Sequence, residues 1–86
     1  MTVSKILEIS GSWCAPCKQL KKELENFNTI PILEFDADEN EKICSDYHIR
    51  NVPTLIFVNE NNEEIARSVG FIRKEDLEKK IEELNS

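Results

Sequence analysis

Eighty-six residues, 40% hydrophobic and 33% charged, describe one globular domain with room for a single small core. A net charge of −6 excludes a basic phosphate-binding surface, and with it a nucleic-acid partner. No apolar run of roughly 18 residues is present to cross a membrane, the first residues carry no basic stretch leading into an apolar core, so no signal peptide is expected, and three cysteines are too few for a disulfide scaffold. A reducing, cytoplasmic setting fits best.

Lys5–Ser10 is a short apolar run closed by Gly11, which reads as a buried strand. The segment Ser12-Trp13-Cys14-Ala15-Pro16-Cys17-Lys18 follows. Leu20, Leu24 and Phe27 then recur at helical spacing and predict a helix over about 15–27. Asn28-Thr29 marks a loop, and Ile32–Phe35 a second strand. Within the polar run Asp36–Asn40 an aspartate or asparagine can cap a helix carrying Ile43, Cys44 and Tyr47. His48–Asn51 forms a turn before Val52-Pro53-Thr54. Leu55–Val58 and Glu63–Val69, joined by the turn cluster Asn59–Asn62, predict an antiparallel hairpin. Gly70 punctuates, and Leu77, Ile81 and Leu84 define a final amphipathic helix from about Lys74 to Leu84. The order β-α-β-α-β-β-α gives an α/β fold in a single domain, 1–86. Its mixed four-stranded sheet has the first two strands parallel and helices on both faces.

The chemistry concentrates where the first strand hands over to the first helix. Residues three apart in a first helical turn lie within the Cα window that a disulfide needs, so Cys14 and Cys17 can open and close without dismantling the fold. The orphan N–H groups and positive dipole end of the helix favour an anion, which makes Cys14 the thiolate and attacking sulfur. Pro16 forfeits no helical hydrogen bond there. Cys17, one turn further in, is expected to be the more buried and to act as the resolving thiol. The competing reading is a Cys3His zinc site built from Cys14, Cys17, Cys44 and His48. A purely structural disulfide would close too small a loop to stabilise much. Cys44 is otherwise expected as a small buried hydrophobe, and His48 as a solvated turn residue.

Trp13-Cys14-Ala15-Pro16-Cys17-Lys18, Tyr47-His48-Ile49-Arg50-Asn51-Val52-Pro53-Thr54 and Val69-Gly70 together resemble the signature segments of the thioredoxin family, in order and across nearly the whole chain. The resemblance implies a minimal thioredoxin fold that starts at the strand leading into the active site, without the usual first strand and helix. It implies a protein-disulfide reductase in which Cys14 attacks and Cys17 resolves, with no bound cofactor beyond the redox-active disulfide. Glu8 falls where the family carries a buried aspartate and is the candidate acceptor of the Cys17 proton; Glu34 falls near the family's lysine and is expected to face solvent. Pro53 is expected to be cis, leaving the Val52 backbone free to pair with a substrate strand. Trp13, Ala15, Pro16 and Gly70, which permits close backbone approach, complete the expected substrate surface, with Trp13 beside the disulfide in an apolar docking patch.

The partners implied are disulfide-containing protein substrates and a thioredoxin-reductase-like electron donor, with the protein itself a monomer. Ala15 departs from the usual glycine between the cysteines. One rival is glutathione-dependent, glutaredoxin-like reduction. Asn51-Val52-Pro53 and Val69-Gly70-Phe71-Ile72 stand where glutaredoxins carry Thr-Val-Pro and Gly-Gly-x-Asp, so the tripeptide is poorly served. A non-catalytic binding subunit is the other.

Overall fold

The elements follow in the order β1 (Lys5–Ser10), α1 (Ala15–Glu23), β2 (Ile32–Asp36), α2 (Glu41–Asp46), β3 (Thr54–Val58), β4 (Glu64–Val69) and α3 (Lys74–Asn85). This computed structural model describes residues 2–86; Met1, the first residue of the expected 1–86 domain, lies outside them. The sheet order is β2-β1-β3-β4. β1 runs parallel to β2 and antiparallel to β3, and β3 pairs antiparallel with β4 through a register shift at Phe57/Val58.

β1 and β3 occupy the middle of the sheet, which is why both are predominantly apolar. Alternation along each strand sorts their side chains between two layers. Ile6, Leu55 and Phe57 pack with Leu20 of α1, Leu24 at its C-cap, and Leu77 and Ile81 of α3 on one face. Leu7, Ile9, Ile56 and Val58 meet Ile43, Cys44 and Tyr47 on the other, beneath α2. Glu8 belongs by alternation to the α1 face, the polar member of an otherwise apolar strand.

Three helix ends differ from the sequence expectation. α1 stops at Glu23 rather than near 27, because Leu24 caps it and the Phe27 N–H donates to the Leu24 carbonyl at 3.0 Å in a tighter turn. Asn26 and Asn28 flank that turn, and Phe27 still reaches the core from it. Asn40 stands at the α2 N-cap but does not cap with its side chain; its Nδ2 donates instead to the Asp36 carbonyl at 2.9 Å. Tyr47 is the C-cap of α2 rather than part of its body. The other boundaries agree within one residue.

α3 is anchored at both ends by groups distant in sequence. The Lys74 N–H donates to Glu23 Oε2 at 2.9 Å, and the Val3 N–H donates to Asn85 Oδ1 at 2.8 Å. Arg73, its own N-cap, makes no side-chain capping bond.

Candidate active site

β1 ends at Ser10, and the chain turns through Gly11, Ser12 and Trp13 before α1 begins. The Cys14 N–H donates to the Gly11 carbonyl at 3.1 Å, closing that turn. Cys14 is then the N-cap of α1, with φ −96° and ψ 113°. Its sulfur takes the place that a serine or aspartate oxygen usually fills: the Cys17 N–H donates to Cys14 Sγ at 3.2 Å. Pro16 sits in the first turn, where no partner for an N–H is needed. Cys14 and Cys17 are joined as a disulfide with Cα atoms 5.3 Å apart. An N–H aimed at the sulfur and the positive helix end together favour the thiolate of Cys14 once the bond is opened.

The expected difference in burial between the two cysteines is absent, since each is 4% exposed. Cys14 is covered from the opposite side by the segment before β3, its Sγ lying 3.7 Å from the Val52 carbonyl oxygen. The Val52–Pro53 peptide bond is cis. Pro53 is buried, its carbonyl accepts the Gly70 N–H at 2.8 Å, and Thr54 Oγ1 donates to the Asn51 carbonyl at 2.6 Å. The Val52 N–H has no backbone partner among the described residues. Glycine is required at position 70 for its backbone conformation rather than for the close approach expected. A Cβ there would meet no protein atom within 4 Å, whereas its φ of +89° is one that L side chains rarely adopt.

Trp13 is not a core residue. It is 69% exposed, with its Nε1 donating to Asp38 Oδ2 at 3.4 Å. A Cβ on Gly11 would come within 3.0 Å of the indole ring, so that glycine makes room for it. Trp13 lines a cleft together with Cys44, Ile49, Arg50, Asn51 and Val52. Cys44 is half-buried rather than fully buried, its Sγ 3.8 Å from the Ala37 carbonyl oxygen. Ala15 and Pro16 are both exposed beside the disulfide.

Glu8 lies in the sheet on the α1 side, 5% exposed, and its Oε2 has no hydrogen-bond partner. Its carboxyl is raised to about 7, first by burial and then by the neighbouring Glu34 carboxylate, with Lys21 opposing both. Glu34 is the in-register partner of Glu8 on β2. It is exposed, as expected, yet it is also held: Oε1 lies 3.6 Å from Lys21 Nζ and Oε2 accepts Ser10 Oγ at 3.4 Å. Lys21, Asp38 and Arg50 escaped the sequence reading. Only Lys21 had a usable signal, standing four residues after Cys17 on the same helix face.

Among the described residues no three of His, Cys, Asp and Glu converge on a metal site, so Cys14, Cys17, Cys44 and His48 are not brought together. His48 lies exposed in its turn with φ 54°. No helix among the described residues is long and apolar enough to cross a membrane.

The thioredoxin family model matches residues 2–83. Thioredoxin H5 of Oryza sativa subsp. japonica is 39% identical over 84 residues, covering 93% of this chain and 61% of the rice protein. A thioredoxin of Staphylococcus epidermidis is 35% identical over 78 residues, 85% of this chain and 74% of its own length. Among solved structures, a point-mutant thioredoxin from Halobacterium salinarum superposes with a TM-score of 0.85 at 26% identity, covering 99% of this chain and 77% of that one.

Proposed function

The chain belongs to the thioredoxin family, and from that premise we propose that residues 1–86 form one domain working as a protein-disulfide reductase through Cys14 and Cys17. Its thiol–disulfide oxidoreductase centre is the Cys14–Cys17 pair. The observation that carries the assignment of roles is Cys14 as the N-cap of α1, its sulfur receiving the Cys17 N–H at 3.2 Å. In the reduced protein the Cys14 thiolate attacks one sulfur of a substrate disulfide, forming a mixed disulfide and releasing the first substrate thiolate. Glu8 takes the Cys17 proton, through water since no hydrogen bond joins the two side chains. The Cys17 thiolate then attacks Cys14 Sγ, closing the Cys14–Cys17 disulfide and releasing the second thiolate. Two electrons pass from the protein to the substrate.

The free Val52 N–H supports recognition of an extended substrate segment by backbone pairing, beside the cis Pro53 and Gly70. The exposed indole of Trp13, with Ala15 and Pro16, supplies the apolar contact around the disulfide. The reading carries with it a cytoplasmic monomer in cellular electron transfer, no bound cofactor, and a thioredoxin-reductase-like donor to recycle the pair.

Reduction of insulin tests the roles. Cys17→Ser should accumulate a Cys14 mixed disulfide by mass spectrometry, while Cys14→Ser should neither trap substrate nor turn over. Full turnover by Cys14→Ser refutes the assignment. Recycling by glutathione alone, at the rate given by a thioredoxin reductase with NADPH, would favour the glutaredoxin-like rival.

A further inference from the structure

β4 holds one residue more than β3 can pair. Phe57 stands opposite Ala66 and Val58 opposite Glu64, which leaves Ile65 over as a bulge. The extra residue resets the alternation along the strand. Ile65 and Ala66 both pack against the α1–α3 core, and Glu64 and Arg67, which a regular strand would point to opposite faces, meet on the other side. Arg67 Nε donates to Glu64 Oε2 at 2.6 Å and Nη2 donates to Oε1 at 2.7 Å, a two-pronged pair. Arg67 is in register with Ile56, so this is the face beneath α2. Its Nη2 donates as well to the Tyr47 carbonyl at 2.5 Å.

That carbonyl ends α2 and begins the segment that reaches Cys14. His48, at φ 54°, donates its N–H to the Ser45 carbonyl at 3.2 Å, and the Ile49 N–H donates to the Cys44 carbonyl at 2.8 Å, so the main chain satisfies two carbonyls of the helix end. The last turn of α2 carries no lysine or arginine, and Arg67 brings from another strand the cation that a helix C-terminus favours. Tyr47 Oη donates to the Asn62 carbonyl at 2.6 Å, tying the same residue to the hairpin turn. Residues 48–52 are thus strung between two attachments: Arg67 holds the Tyr47 end, and the Gly70 N–H, just past β4, holds the Pro53 carbonyl.

We propose that Arg67, held in place by Glu64, is a positioning residue for substrate recognition, fixing the Tyr47 end of this segment so that the Val52 backbone stands ready beside Cys14. The inference rests on the role proposed above for the Val52 N–H. A segment that pairs with an extended chain loses affinity when it must first be ordered, so its anchoring is felt in KM rather than in the reactivity of the thiolate. The Glu64 carboxylate restrains the guanidinium in the orientation that reaches Tyr47, a service that a lysine ammonium could receive only in part.

Arg67→Met keeps the apolar stem and removes every donor. Its KM for insulin should rise roughly three- to tenfold at nearly unchanged kcat, the loss expected from one hydrogen bond. Glu64→Gln loosens the guanidinium without removing it and should raise KM by less, and Arg67→Lys should recover part of the loss. Alkylation of reduced Cys14 by iodoacetamide should keep its rate and its pH midpoint. Leu77→Ala, which weakens the fold at α3, should leave KM unchanged and so separates positioning from loss of stability. Exchange of the Ile49 amide, followed by NMR, reads the segment directly and should quicken about three- to tenfold in Arg67→Met. An Ile49 amide that exchanges as before overturns the anchoring. A quickened amide with an unmoved KM overturns the recognition role, and the fault then lies with the reading of Val52. Alkylation that slows in step with the rise in KM overturns positioning too, since Arg67 would then act on the thiol.

Discussion

Replacing Glu8 with glutamine removes the one charge that the sheet interior carries on the α1 side, and its effect on stability can be worked out in advance. A carboxyl whose ordinary value is 4.5 rises to about 7 in the folded protein, so the folded state binds the proton more tightly than the unfolded chain. The resulting stabilisation is fully present below pH 4.5 and is lost as pH rises through about 7. Integrating the proton difference between pH 5 and pH 8 gives a loss of about 2–3 kcal/mol. Glutamine keeps the shape and has no proton to lose. Urea unfolding of the oxidised wild type and Glu8→Gln at both pH values isolates this group, because every other titration is common to the two proteins. The variant should gain on the wild type by about 2–3 kcal/mol between pH 5 and pH 8, at an unchanged m-value. A gap between the two proteins that stays constant across that range would show that the carboxyl titrates normally, and a gap that moves the other way would invert the reasoning.

Leu77→Ala empties a site of 0% exposure between α3 and the sheet and should cost about 2–5 kcal/mol in the same urea assay. Gly70→Ala should cost about 1–2 kcal/mol through its φ of +89° alone, with no clash to relieve, so Gly70→Ser should cost nearly the same. Trp13→Ala, at an exposed position, should change stability by no more than about 0.5 kcal/mol yet raise the KM for insulin, and an unchanged KM would remove Trp13 from the docking surface.

The strands and the redox pair were legible because each is fixed by local chemistry. Apolar runs marked β1 and β3, and two cysteines ahead of a helical pattern marked the site. The α1 terminus was misread because Phe27 kept the helical spacing after the backbone had turned away, and periodicity does not distinguish a helix from a turn that feeds the same core. Burial of Glu8 could be anticipated from the cost of placing a charge within an apolar strand. The equal burial of Cys14 and Cys17 could not, since Cys14 is covered by Val52, 38 residues away. Lys21 with Glu34, and Trp13 with Asp38, depend likewise on the approach of separate elements, for which a single sequence holds no distance.

The anchoring of α3 has a consequence for how the molecule comes apart. Its first turn receives a carboxylate from the end of α1, and its last turn holds the backbone at Val3, so neither terminus can fray without disturbing a segment far away in the chain. A terminal helix normally exchanges its amides by local peeling. Here the protected amides of α3 should exchange only with the sheet, as one cooperative unit that links both ends of the chain.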